Sequence, residues 1–218
     1  MGDVIRLADR RAVRRTRDTH RHQPSRVEFL FDLSCPYSYL AAERVERAFD
    51  DVVWTPACMS TLRCGSPDTD PDALARDRRA AETRAADLRL PLVWPERHPF
   101  AVPAAMRAAS YASEQGRGAA FVLAAFRLSF CGGFDLDDPE ILAEAAAAAG
   151  IGMDGCLQAV GDVARDGDIE QAGRRLLAAG AERLPALRVG RALFWGEHRV
   201  AEAAAAARHQ AAQRAARA

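Results

Sequence analysis

The period of apolar positions changes several times along the chain, and each change predicts an element. Val27-Glu28-Phe29-Leu30-Phe31 is aromatic and β-branched with partial alternation, which predicts a strand. Leu40 to Phe49 carries apolar residues at helical spacing, and Val52-Val53-Trp54-Thr55-Pro56 reads as a short second strand. A β-α-β opening of this length, about 30 residues, begins a parallel sheet. From Pro71 to Gly180 almost everything reads as helix, over 71–89, 104–115, 118–130, 138–149, 153–164 and 168–179. The stops are Gly116, Gly132-Gly133, Gly150 and Gly180, and Asp137-Asp138-Pro139 opens the fourth helix. Such a stretch is too long for a connection, so it predicts an all-helical insertion with a core of Phe121, Leu123, Phe126, Leu128, Phe130, Ile141, Leu142, Ile151 and Leu157. Apolar residues on both sides of Gly190-Arg191 then predict a hairpin, followed by an alanine-rich helix to the end.

Composition narrows the classes. At 218 residues and 49% apolar content the chain can bury a full core. Thirty acidic and thirty basic residues cancel, which argues against nucleic acid or an acidic membrane surface as a partner. The sequence offers no apolar run of membrane length and no signal-peptide core in its first 26 residues, so the expectation is a cytosolic protein. Five cysteines without tight spacing fit a reducing compartment. Cys58 and Cys64 with scattered histidines lack the paired spacing of a zinc site, and no metal is expected. Residues 1–25, rich in arginine and poor in large apolar residues, read as a disordered basic tail.

The chemistry concentrates where the first strand passes into the first helix, at Asp32-Leu33-Ser34-Cys35-Pro36-Tyr37-Ser38-Tyr39. Proline is favoured at the first helical position, which makes Cys35 the N-cap. There its sulfur faces free N–H groups and the positive end of the helix dipole, so a low-pKa, reactive thiolate is expected, with Ser38 adding a hydroxyl donor. Asp32 at the strand end works against the thiolate if ionised, or serves as a proton relay. A small buried hydrophobe is the competing role for such a cysteine.

This turn resembles that of the DsbA-like thioredoxin-fold family, and within it the branch of 2-hydroxychromene-2-carboxylate isomerases and kappa-class glutathione transferases. Members of that branch usually read Ser-Pro-Tyr-Ser-Tyr, and here Cys35 replaces the first serine. Relative to the Cys-Pro-x-Cys disulfide pattern, Ser38 stands where the resolving cysteine would be, giving a monothiol Cys-Pro-Tyr-Ser turn. Pro91 to Pro103, followed by Ala105-Met106-Arg107-Ala108, resembles the proline-rich loop and helix of the same branch, and makes Trp94, Phe100 and Met106 candidate walls of a substrate cleft. Pro185 resembles the cis-proline of thioredoxin folds, and a cis bond would turn the backbone of Leu184 toward Cys35. Trp195-Gly196-Glu197-His198-Arg199 follows a branch pattern whose aspartate receives the ammonium of glutathione. Here that position is His198, which cannot replace a carboxylate, so glutathione is expected to bind poorly unless Glu197 turns inward.

The resemblance implies an α/β thioredoxin-like fold with an inserted all-helical domain, divided as 26–60 with 181–218 around a helical insertion at 61–180. The expected catalytic residues are Cys35, Ser38, Pro36, Tyr37 and Asp32. Those expected to hold the thiol and substrate are Leu184, Pro185, Trp195, Glu197, His198, Arg199, Trp94, Phe100 and Met106. Three functions stay open: a thiol-disulfide oxidoreductase or transferase working with an external low-molecular-weight thiol and no tightly bound cofactor, a thiol-dependent isomerase, and an inert thioredoxin-fold binding protein. The expected partners are a small thiol and an electrophilic or disulfide substrate, with neither nucleic acid nor membrane, and a homodimer is compatible with this reading.

Overall fold

The structure, a computed structural model, describes residues 27–62 and 70–217; the N-terminal tail and the loop holding Cys64 lie outside the described residues. The element order is β1 (Val27–Phe31), α1 (Pro36–Ala48), β2 (Val52–Pro56), α2 (Pro71–Asp87), α3 (Pro103–Glu114), α4 (Gly118–Phe130), α5 (Pro139–Ala148), α6 (Met153–Gly161), α7 (Arg165–Ala178), β3 (Ala186–Val189), β4 (Ala192–Trp195) and α8 (Val200–Ala215). Short 3-10 turns cover Met59–Thr61 and Glu197–Arg199. Every strand and helix expected from the pattern is present, with ends moved by a few residues.

The four strands form one mixed sheet in the order β2-β1-β3-β4. β1 runs parallel to β2, pairing Phe29 with Trp54, and antiparallel to β3, pairing Phe29 with Leu187 and Leu30 with Ala186. β3 and β4 close the hairpin around Gly190, whose φ of 61° is a conformation glycine adopts without steric cost.

Alternation along β1 divides the core. Val27, Phe29 and Phe31 face one side with Trp54, Leu187 and Val189, and pack with Tyr39, Phe126 and Phe130 from α1 and α4. Leu30 faces the other side and joins Ala57, Leu62, Leu176 and Leu184 beneath α7. On the first face the rings of Phe29 and Trp54 meet edge-on at 5.0 Å, and Phe31 meets Phe126 at 6.2 Å. Burying each such side chain stabilises the fold by about 2–3 kcal/mol, so one aromatic cluster fastens the inserted helices to the sheet.

Two ion-paired contacts add to this. Arg127 of α4 reaches Glu43 of α1 at 2.7 Å and 3.0 Å. Glu197, buried after β4, accepts from Arg84 of α2 at 2.7 Å and 3.1 Å and from Arg44 of α1. Two guanidiniums around one buried carboxylate offset its desolvation and tie the inserted helices to the sheet layer.

Candidate active site

The turn between β1 and α1 brings the expected chemistry together. Cys35 is the N-cap of α1 with an extended backbone, and Pro36 takes the first helical position. The turn is closed by the Cys35 N–H donating to the Asp32 carbonyl at 3.0 Å and the Ser38 N–H donating to the Cys35 carbonyl at 3.0 Å. Leu184-Pro185 is cis, and the Cys35 thiol points at the Leu184 carbonyl oxygen, 3.9 Å from the sulfur. The Gly196 N–H, at the end of β4, donates to the Pro185 carbonyl at 2.7 Å and so fixes this loop over the turn.

The sulfur does not behave as its place at a helix start suggests. Cys35 is only 2% exposed, and burial pushes its thiol up to about 11. The Ser38 hydroxyl and the N–H groups of Ser38 and Tyr37 pull the other way, and the Asp32 charge adds to the rise. No capping hydrogen bond of full geometry reaches the sulfur, so the helix start offsets only part of the desolvation. The expectation of a low-pKa thiolate is therefore corrected for this closed arrangement. A thiol whose hydrogen faces a carbonyl is held in its neutral form.

Asp32 also takes a part the sequence did not suggest. Its carboxylate accepts from the Ser34 N–H at 2.9 Å, the Ser34 hydroxyl at 2.7 Å and the Met59 N–H at 2.8 Å, and so stitches the turn to the segment after β2. Ser38 is fully buried, and its hydroxyl oxygen lies 3.4 Å from the Asp32 N–H. Tyr37 is half-buried, with its phenol raised by burial and by the charges of Asp77 and Cys35.

On the insertion side, the Leu33 N–H donates to Met106 Sδ at 3.3 Å. His98 Nε2 lies 3.2 Å from the Ser34 carbonyl, and because a carbonyl only accepts, Nε2 carries the proton. The imidazole lies 4.7 Å from the Trp94 ring, and burial lowers its pKa to about 4, leaving it neutral at physiological pH. His98 lies inside the proline-rich stretch Pro91 to Pro103, where no sequence motif singles it out. Only the fold brings that loop against Ser34.

The remaining expected residues divide. Met106, Leu184 and Pro185 meet the turn, and Trp94 backs His98. Phe100 is half-exposed beneath the Arg97 guanidinium, and Trp195 packs beside Leu184 under Arg183. Glu197 does turn inward, but Arg44 and Arg84 occupy both of its oxygens. His198 is exposed, and Arg199 is paired with Glu202 and lies over Phe194. Gly196 has a φ of 95°, and a side chain there would meet the His198 ring within 2.7 Å. Among the described residues no group of three or more His, Cys, Asp or Glu gathers where it could hold a metal ion. No helix among them is long and apolar enough to cross a membrane.

The sequence pattern that defines the DSBA-like thioredoxin domain matches residues 26–208. The chain belongs to the DSBA-like thioredoxin domain family. Among solved structures, this DsbA-like fold is similar to a 2-hydroxychromene-2-carboxylate isomerase, with a TM-score of 0.73 at 18% identity over 88% of this chain and 98% of that one. It is also similar to a probable DsbA oxidoreductase from Streptomyces coelicolor, with a TM-score of 0.66 at 22% identity over 84% and 88% of the two chains. A third is the cytosolic disulfide reductase DsbM from Pseudomonas aeruginosa with GSH, with a TM-score of 0.58 at 20% identity over 86% and 98%. A search of curated protein sequences finds no match.

Proposed function

We propose that this DsbA-like protein is a monothiol oxidoreductase or thiol transferase in which Cys35 is the nucleophile and an external low-molecular-weight thiol completes the cycle. The observation that carries the reading is the Cys35 sulfur at the start of α1, 3.9 Å from the carbonyl before a cis-proline, with Ser38 in place of a second cysteine. Ionised Cys35 attacks one sulfur of a disulfide, forming a mixed disulfide and releasing the other half as a thiolate. An external thiolate then attacks the substrate sulfur of that mixed disulfide, leaves as the new disulfide and restores the Cys35 thiolate. No second protein cysteine is needed.

Since burial holds the resting thiol protonated, the cycle begins with the Leu184 carbonyl moving off the sulfur as substrate or water enters. That removes the largest cause of the raised pKa and leaves the N–H groups of Tyr37 and Ser38 to hold the anion. Leu184 and Pro185 then face the substrate's backbone or thiol moiety, and Asp32 holds the turn in shape. The chain divides in this reading into a sheet unit, 26–60 with 181–218, and the inserted helices, 61–180. Its proposed compartment is the cytosol, supported by the name of the DsbM neighbour. That neighbour carries glutathione; here Glu197 is already engaged, which supports a different small thiol.

A thiol-dependent isomerase is the second reading, supported by the similarity of the fold to a 2-hydroxychromene-2-carboxylate isomerase. Turnover of a small mixed disulfide with excess thiol tests the first. Cys35→Ser is expected to lose activity at least 100-fold while Cys58→Ser keeps it; equal loss in both, or none in Cys35→Ser, would reject Cys35 as the nucleophile.

A further inference from the structure

The loop between α2 and α3 carries a histidine to the turn that holds the nucleophile. His98 Nε2 donates to the Ser34 carbonyl at 3.2 Å, and the Cys35 N–H donates to the Asp32 carbonyl at 3.0 Å. The peptide between Ser34 and Cys35 is thus held at both of its polar ends. The Cα of Cys35 follows directly, so the tilt of this planar unit sets where the sulfur points relative to the N–H groups of Tyr37 and Ser38.

The histidine is itself held from several sides. Its ring lies 4.7 Å from that of Trp94 and meets Phe130 of α4 edge-on at 6.0 Å. Its backbone N–H donates to the Pro95 carbonyl at 3.1 Å, and its own carbonyl accepts from the Arg78 guanidinium of α2. The Val93 N–H donates to the Phe130 carbonyl at 2.7 Å, and Trp94 Nε1 donates to Glu82 of α2 at 2.6 Å. The loop therefore carries the positions of α2 and α4 to the Ser34 carbonyl.

Stability does not account for a histidine here. A phenylalanine would fill the same place against Trp94 and Phe130 with no polar atom, whereas the Nδ1 of His98 is buried without a hydrogen-bond partner among the described residues. An unpartnered buried acceptor costs about as much as a neutral hydrogen bond contributes, so the bond to Ser34 and the orphaned nitrogen nearly cancel. Nor can the ring serve as a base toward the thiol, because one nitrogen is engaged as a donor and the other is sealed. Burial lowers its pKa to about 4, which keeps it neutral with its one proton on Nε2.

We propose that His98 is a positioning residue for Cys35: its hydrogen bond to the Ser34 carbonyl fixes the peptide that leads into the nucleophile and so aims the sulfur at an incoming disulfide. The effect on rate rests on the proposed thiol chemistry, and the effect on the Cys35 peptide rests on the geometry of the turn alone. A displacement of about 1 Å at a reacting group can cost about a hundredfold in rate, so loss of the bond is read as a slower reaction at Cys35 rather than as unfolding.

Two substitutions separate the bond from the ring. His98→Phe keeps an aromatic ring and removes the donor, and His98→Gln restores an amide N–H at similar reach. Cystamine is added to each full chain and the adducts on Cys35 and Cys58 are timed by peptide mapping, while exchange of the Cys35 amide hydrogen is followed by NMR in the same proteins. His98→Phe is expected to slow the Cys35 adduct by about tenfold or more and to leave the Cys58 adduct unchanged. It should also speed Cys35 amide exchange by about tenfold and melt within about 3 °C of the native chain. His98→Gln should return both rates to within about threefold of native. Native rates in His98→Phe, a His98→Gln protein as slow as His98→Phe, or a larger fall in the melting temperature of His98→Phe would each overturn the proposal, the last by making the histidine a structural residue. No cystamine adduct on native Cys35, alongside amide exchange that only His98→Phe speeds, would instead overturn the proposed function and leave the positioning role standing.

Discussion

Replacing Glu197 by Gln tests how the inserted helices are held to the sheet. The amide keeps one acceptor oxygen and turns the other into an NH2 group, so the 2.7 Å bond from Arg84 Nε has no acceptor. A hydrogen bond to a charged group contributes about 1.5–3 kcal/mol. The substitution also leaves two guanidiniums facing each other with no anion between them, and breaking a fully buried pair of this kind costs about 3–5 kcal/mol. The arginine side chains are 25% and 33% exposed and can turn toward water, which removes part of that penalty. The net expectation is a loss of about 2–3 kcal/mol, and with a urea slope of about 2–3 kcal/mol/M the unfolding midpoint falls by about 1 M. Arg84→Met combined with Glu197→Gln should cost less than the two separate losses added together. A Glu197→Gln midpoint within about 0.2 M of the native value would refute the idea that this triad fastens the insertion.

Other consequences follow from the geometry. With its thiol at about 11, Cys35 is ionised to only about one part in ten thousand at pH 7, so alkylation by iodoacetamide should be slow and rise about tenfold per pH unit. Because folding raises this pKa from 9.0, the stability it contributes is present below pH 9 and lost as pH climbs through about 11, roughly 3 kcal/mol in all. Rapid labelling of Cys35 at pH 7 in peptide maps, or flat stability across that window, would contradict the closed site. Gly173→Ala in α7 should lower stability by about 1–3 kcal/mol in thermal melts, because its Cβ would collide with the Thr61 hydroxyl and come within 3.0 Å of the Cys58 carbonyl; an unchanged melting point would show that the 59–61 turn yields freely. Glutathione should bind weakly by calorimetry, since His198 is exposed and Glu197 is occupied, and micromolar affinity would mean that its ammonium is held elsewhere.

The fold was legible in the sequence because its signals are local. Period-two alternation in Val27–Phe31, helical spacing after Leu40 and glycine stops at 116, 150 and 180 each act within a few residues. The Cys35-Pro36 junction was legible for the same reason, since a cap is a property of one turn. The sulfur's ionisation was not, because the cause that dominates is burial, which depends on packing against residues remote in sequence, such as Leu184, 149 positions away. Glu197 shows the same limit: its inward turn could be posed from the sequence, but its two arginine partners come from α1 and α2. His98 carried no signal, because a histidine in a proline-rich loop is an ordinary residue until packing places it beside Ser34.

The central claim is that Cys35 is the nucleophile and that an external thiol, not a second protein cysteine, resolves its adduct. Mass spectrometry of the intact full chain after incubation with a low-molecular-weight disulfide, with peptide mapping and then addition of the matching thiol, tests it most directly. The expected result is one adduct, on Cys35, absent in Cys35→Ser and released by the added thiol. An adduct confined to Cys58 or Cys131, or an internal disulfide that displaces the adduct from Cys35 without added thiol, would contradict it.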